Sequence, residues 1–281
     1  MMPGSALLRF NARKALKGHW QTALLTAFTA GLFVTVFQVA FLPRLNNTAA
    51  DFLSLIGQGD SIEAFISQMD WAQWIPVLVL YAVSLVFTPA LDMGMSVYYL
   101  LRLEDKAAAF RTLFCRMGIF FKALVLNLLI NAKILLWGAG AMAVFIWPIY
   151  LVPGFMSGLA LWLANLAPIA ALAAGGMAYY RHVLAPIVMA EFPAFTVKAA
   201  VRFSKRYMRG RKKSFFLTQL SFAGWFALSL LLSGVLTELL GDVISLAAGL
   251  FADLALSVYM RATYTSFYKT VRNTHPEAEN S

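Results

Sequence analysis

Six apolar runs, each of 22 residues or more, constrain this chain above all else: residues 21–42, 74–101, 123–147, 155–180, 214–236 and 243–264. A helix rises 1.5 Å per residue and the hydrocarbon core of a bilayer is about 30 Å thick, so about 20 such residues cross it. Folding cannot hide that much apolar surface from water, because even large soluble domains leave much of their surface exposed. With 60% hydrophobic and only 13% charged residues, the composition lies far outside the soluble range. The runs predict an all-α fold: a polytopic transmembrane helical bundle of about six spans, forming one domain over residues 1–281. The second and fourth runs are long enough to tilt, or to kink at Pro89 and Pro168.

The connections carry an alternating charge. Arg9, Arg13, Lys14 and Lys17 precede the first run, and five Lys and Arg lie between 102 and 122. Nine lie between 181 and 213, and Lys269 and Arg272 follow the last run, with Arg261 close to its end. The intervening loops are poor in them: 43–73 holds only Arg44 against Asp51, Asp60, Glu63 and Asp70, and the turns near 148–154 and 237–242 hold none. Cytoplasmic loops concentrate Lys and Arg, so the pattern puts both termini in the cytoplasm and the segments 5–20, 102–122 and 181–213 on that side. The first run is too long for a signal-peptide core, so it reads as a retained span. The tail 273–281 reads as disordered.

A net charge of +10 would suggest nucleic acid in a soluble protein, but no nucleic-acid motif accompanies it. The expected partner is the lipid bilayer, through anionic phospholipids. Helical spacing supports this. Arg9, Arg13 and Lys17 run beside Leu8, Ala12, Leu16 and Trp20. Leu103, Ala107, Phe110, Phe114, Met117 and Phe121 share one face, and Lys198, Arg202, Lys205, Arg209 and Lys212 form a stripe. These segments read as basic amphipathic helices in the membrane interface, either as plain topology determinants or as a lipid-sensing surface. In the second case Lys198, Arg202, Lys205, Arg206, Arg209, Arg211, Lys212 and Lys213 would contact anionic lipid. Each segment ends in a glycine (Gly18, Gly118, Gly210), which points to a parallel repeat of three hairpins or to convergence. In the outer loop, Asp60 and Glu63 have the spacing of a capping box before an apolar face that includes Ile62, Phe65 and Ile66.

Charges within spans are costly and therefore informative. Asp92, Lys133 and Asp253 stand there, with Asn127 and Asn131 on the helix of Lys133. Lys133 paired with Asp92 or Asp253 is the structural expectation, and an ion-coupled site is the functional one. Gly154 with Gly158, and Ala171 with Gly175, have the small-residue spacing of close helix packing. No catalytic constellation is visible: there is no His-Glu-x-x-His, phosphate loop or Gly-x-Ser-x-Gly elbow. His19, His182 and His275 are scattered, and the single Cys115 permits neither an intramolecular disulfide nor a cysteine metal site. No enzyme activity, cofactor or metal is expected.

From Ser204 the sequence reads Ser-Lys-Arg-Tyr-Met-Arg-Gly-Arg-Lys-Lys-Ser-Phe-Phe-Leu, followed by Leu220-Ser221-Phe222-Ala-Gly224-Trp225. It resembles a bacterial family of integral membrane proteins catalogued as domain of unknown function 975. The stretch Ala12-Arg13 through Leu16-Lys17-Gly18-His19-Trp20 is similar to the family's opening, and Ser266-Phe267-Tyr268 to its closing Phe-Tyr. The family usually has Asn at the place of His19 and Asp before the loop proline, where Glu191-Phe192-Pro193 stands here. The resemblance implies a multi-pass protein of the bacterial cytoplasmic membrane and supplies no activity. Two functional readings follow: a non-enzymatic component that organises lipid or assists another membrane complex, or a small transporter or channel subunit using Asp92, Lys133 and Asp253. A homo-oligomer or a second membrane protein is left open as a partner. A charge-lined cavity favours the transporter and a dry core with a basic rim favours the scaffold.

Overall fold

The computed structural model describes residues 4–32, 36, 71–151 and 157–274, and among them every regular element is helical. The chain opens with α1 (Ser5–Leu16), turns at Gly18 and continues as α2, described over residues 20–32. Beyond residue 70 come α3 (Trp71–Leu103), two 3-10 turns (Phe110–Phe114 and Met117–Ile119), α4 (Phe120–Leu151) and α5 (Ser157–His182). Three short helices, α6 (Ala185–Glu191), α7 (Val197–Met208) and α8 (Lys212–Leu220), lead to α9 (Ala223–Leu240) and α10 (Asp242–Asn273). The capping box at Asp60, the glycine at 154, the tail beyond 274 and most of the first run's second half lie outside the described residues.

Among the described residues, three stretches are long and apolar enough to cross a membrane: Trp74–Leu103, Phe110–Trp147 and Lys212–Leu239. Only 28%, 17% and 6% of their most apolar windows are buried within the chain. Leu136, Leu172 and Leu230 stay more than 70% exposed. Burial is concentrated instead where the basic residues gather, an end of the bundle referred to below as the basic end. There Tyr98, Tyr99, Tyr207, Phe215, Phe267 and Tyr268 are all fully buried. Leu8, Ala12 and Leu16, four residues apart on α1, are fully buried, with Ala12 and Leu16 in one cluster with Val258 and Ala262 of α10 and Tyr98 of α3.

The three basic segments differ from one another. The first and third are 12-residue helices that close alike, with Gly18 at φ +78 and Gly210 at φ +73, a conformation that suits glycine because it lacks a Cβ. Aligned on those glycines, Leu8, Ala12 and Leu16 correspond to Ala200, Ser204 and Met208, and all six are buried. The second segment is not the amphipathic helix expected over 102–122. The chain turns at Asp105, which has φ +53, runs on to Ala109 and forms only 3-10 turns. Arg102 draws it back by donating to the Ala108 carbonyl at 2.5 Å. Gly118 has neither the helix before it nor a positive φ. The third stripe is interrupted too, because α7 ends at Met208 and Lys212 opens the next helix. The fifth run is likewise split at Ser221–Phe222. The Thr218 and Ser221 hydroxyls bond to the Ser214 and Thr218 carbonyls, offering the backbone partners that compete with helix continuation, and Phe222 buries against Tyr259.

Close approaches explain several glycines and small residues. Ala171 and Gly175 face α4: a Cβ on Gly138 would lie 3.4 Å from the Ala171 carbonyl, and one on Gly175 would lie 3.5 Å from Ile134 Cγ2. Gly94 is the tightest. A Cβ there would sit 1.8 Å from the backbone oxygen of Leu113, the fully buried residue of the turn that packs on α3. Since backbone must move to admit a methyl group, Gly94→Ala is expected to cost about 1–3 kcal/mol. Gly118→Ala, with open space around it, should change stability by less than about 0.5 kcal/mol. Thermal melting of the detergent-purified variants checks the pair, and equal midpoints would refute the packing argument.

Candidate functional site: a charge-lined cavity between the helices

Polar residues recur along one face of several otherwise apolar helices. On α3, Asp92, Ser96 and Tyr99 follow four- and three-residue steps, and on α10 Asp253, Ser257, Arg261 and Tyr264 do the same. Asn127 and Asn131 are one turn apart on α4, and the Asn131 amide donates to the Asn127 side-chain oxygen at 3.4 Å. These faces converge on a cavity of about 610 Å³, completed by Tyr179 and His182 of α5, Pro186 and Ile187 of α6 and Phe226 of α9. From Asp253 to Tyr264 it follows α10 for about 16 Å.

An ion pair holds its middle. Arg261 donates to Asp92 at 2.7 Å, linking α10 to α3. The two side chains are 42% and 35% exposed, because both border the cavity. Asp253 accepts a 3.2 Å hydrogen bond from Ser229 of α9. The Ser96, Ser257 and Thr265 hydroxyls are satisfied by carbonyls of their own helices. The Tyr99 hydroxyl and His182 Nδ1 are buried without a hydrogen-bond partner among the described residues. Two carboxylates and one guanidinium leave the lining with a surplus negative charge, and no described group of three His, Cys, Asp or Glu could hold a metal ion.

Asp92, Asn131 and Asp253 therefore meet at one site, whereas Lys133 does not line it and is not the partner of either aspartate. The partner, Arg261, is matched in depth: Asp92 lies 11 residues before the end of α3 and Arg261 lies 12 before the end of α10. That count required knowing that α10 continues to Asn273, well past the apolar run. The polar stripes on α3 and α10 were readable at helical spacing and are the signal that locates the cavity. The other sequence candidates lie at the basic end. Lys198, Arg202 and Arg206 are exposed on α7, and Arg211 turns to the Tyr207 carbonyl and the Thr274 hydroxyl. Lys205, Arg209, Lys212 and Lys213 surround a second cavity with Arg181.

Neutralising either member of the Asp92–Arg261 pair strands the other. Asp92→Asn and Arg261→Gln should each cost about 1–2 kcal/mol, below the value for fully buried pairs because both side chains border open space. The double variant should cost less than the sum, and additive losses in melting experiments would show that the two groups are not coupled.

The residues that carry the family resemblance sit elsewhere, in the basic end. Gly18 and Gly210 supply its two positive-φ turns, and the Ser204 hydroxyl donates to the Arg181 carbonyl at 3.1 Å. Phe215 packs edge-on against Phe267. The Tyr268 hydroxyl donates to Glu191 at 2.5 Å, and Arg272 pairs with the same carboxylate. Burial, and then the nearby Glu191 charge, raise the Tyr268 phenol well above its ordinary pKa, so it keeps the proton it donates. These motif positions bind the ends of the helices to one another. No curated protein and no solved structure matches the chain. The family model described as protein of unknown function (DUF975) matches residues 2–275, and this chain belongs to that family.

Proposed function

We propose that this protein is a multi-pass component of the bacterial cytoplasmic membrane with six spans, both termini cytoplasmic, whose charge-lined cavity binds a small cationic or zwitterionic solute for passage across the membrane. The observation that carries this reading is the cavity of about 610 Å³, where Asp92, Asp253 and Arg261 converge between apolar helices. Charges at membrane depth are retained where they face a polar cavity and serve a solute or ion. The surplus carboxylate selects for positive charge, and Arg261 offers a counterpart for a carboxylate or phosphate on the same molecule. The role read here is binding and passage rather than catalysis. A charged cavity favours this role over that of a purely structural scaffold with a dry core.

The six-span arrangement is supported by the uncovered apolar faces and by the placement of Lys and Arg near one set of helix ends. Several of those cations serve helix ends directly: Lys269 donates to the Leu103 carbonyl at 2.8 Å and Arg116 to the Ala190 carbonyl at 2.7 Å.

A thermal-shift panel on the detergent-purified protein tests the reading with small amines, amino acids and carboxylates. At about ten times its Kd a bound amine or amino acid should raise the melting midpoint by about 3–6 °C. Asp253→Asn should abolish the response to amines. Carboxylates stabilising as strongly as amines, or no response from any of them, would refute it. In the same protein with Cys115→Ser, a cysteine placed at Ser257 should react about tenfold faster with a cationic than with an anionic thiol reagent of equal size.

A further inference from the structure

The second cavity, of about 530 Å³, is bounded by Arg181 at the end of α5, Lys205 and Arg209 around the end of α7, and Lys212 and Lys213 at the start of α8. Five cations line it and no carboxylate does. Their neighbours elsewhere at the basic end are spoken for: Arg102, Arg116, Lys122 and Lys269 donate to backbone carbonyls, and Arg272 pairs with Glu191. None of the five has a hydrogen bond or ion pair from its side chain among the described residues, and Arg181 lies 5.8 Å over the ring of Trp137. Gathering like charges opposes folding unless an anion joins them.

The arrangement is built rather than accidental. The Ser204 hydroxyl ties α7 to the Arg181 carbonyl and so sets Lys205 beside Arg181. Gly210, at φ +73, turns the chain so that Lys212 and Lys213 close the opposite side, and fully buried Phe215 anchors the helix that carries them. Below the cations the surface becomes apolar on α8, on α5 and on the neighbouring α4. Phe216 and Leu217 follow Lys212 and Lys213 by one turn, 46% and 47% exposed. Trp137 is 57% exposed, and Met177, one turn before Arg181, is 59% exposed. A cationic cup above an apolar slope matches an anionic headgroup with acyl chains beneath it. A soluble phosphate would use only the cup.

We infer that the pocket formed by Arg181, Lys205, Arg209, Lys212 and Lys213 binds the phosphate of an anionic phospholipid headgroup. This rests on the membrane part of the reading above and is independent of any solute in the first cavity. Each cation near an anionic lipid strengthens attraction appreciably, and two or more donors converging on one phosphate add charge-assisted hydrogen bonds. The pocket is narrower than the basic stripe legible in the sequence: it excludes Lys198, Arg202, Arg206 and Arg211 and recruits Arg181 from the preceding helix.

The test titrates phosphatidylglycerol, phosphatidylcholine and glycerol phosphate into detergent-purified protein and follows binding by native mass spectrometry. The wild type should bind phosphatidylglycerol in preference to phosphatidylcholine, and Lys205→Gln/Lys212→Gln/Lys213→Gln should weaken that binding about a hundredfold. A control that removes the same charge outside the pocket, Lys17→Gln/Lys198→Gln/Arg202→Gln, should retain it within about threefold. Equal losses in both variants would reduce the effect to diffuse attraction and overturn the site, as would equal affinity for phosphatidylcholine. Glycerol phosphate competing at the lipid's own affinity would overturn the lipid assignment in favour of a soluble phosphate ligand. Melting midpoints without lipid show that each variant is folded. A protein that stays monodisperse without detergent would overturn the membrane reading, an outcome distinct from failure of the pocket.

Discussion

Apolar helix surface that the chain itself leaves uncovered governs everything else in this molecule. The most apolar windows of the three candidate stretches among the described residues are at most 28% buried, so the energy that holds a soluble core together is missing along most of their length. Hydrocarbon around them would satisfy that surface, and a helix satisfies its own backbone there without help from solvent. Cohesion must then come from elsewhere. Small residues bring α4 and α5 together, Gly94 lets the 110–114 turn press onto α3, and the aromatic cluster at the basic end draws the short helices into one body.

That division of labour separates the residues that carry the family resemblance from the site. Gly18, Ser204, Gly210, Phe215, Phe267 and Tyr268 all serve the basic end: two turns, one hydroxyl tie, a packed aromatic group and the Tyr268–Glu191–Arg272 cluster. Glu191 is the carboxylate that receives both Tyr268 and Arg272. A resemblance carried by such residues identifies the architecture and is silent about activity. The polar stripes of α3 and α10 lie on otherwise apolar helix surface, where a few polar side chains can define a ligand.

The first and third basic segments share a shape. Both are 12-residue helices closed by a left-handed glycine, with buried positions in register. The second has the glycine and the charges but turns at Asp105, and Arg102, Lys106, Arg116 and Lys122 are used on carbonyls and on Glu104. Hydrogen bonding by Lys106, ahead of any other influence, lowers the Glu104 pKa and keeps that local pair ionised. Apolar spacing alone cannot separate these outcomes, because a helical face and a folded turn can bury the same residues.

By itself, the sequence established the helical class, the family and the concentration of charge near particular helix ends, because these follow from local composition and from periods of a few residues. It also singled out Asp92, Asn131 and Asp253, since a polar residue in an apolar run is conspicuous without a partner in view. Tertiary structure alone decided that Arg261 answers Asp92 while Lys133 stays out of the cavity lining, and that Arg181 joins Lys205, Arg209, Lys212 and Lys213 while Arg211 turns to Thr274. Those choices depend on which helices lie side by side and how far each continues past its apolar run. Pairing across more than a hundred residues leaves no trace in local spacing.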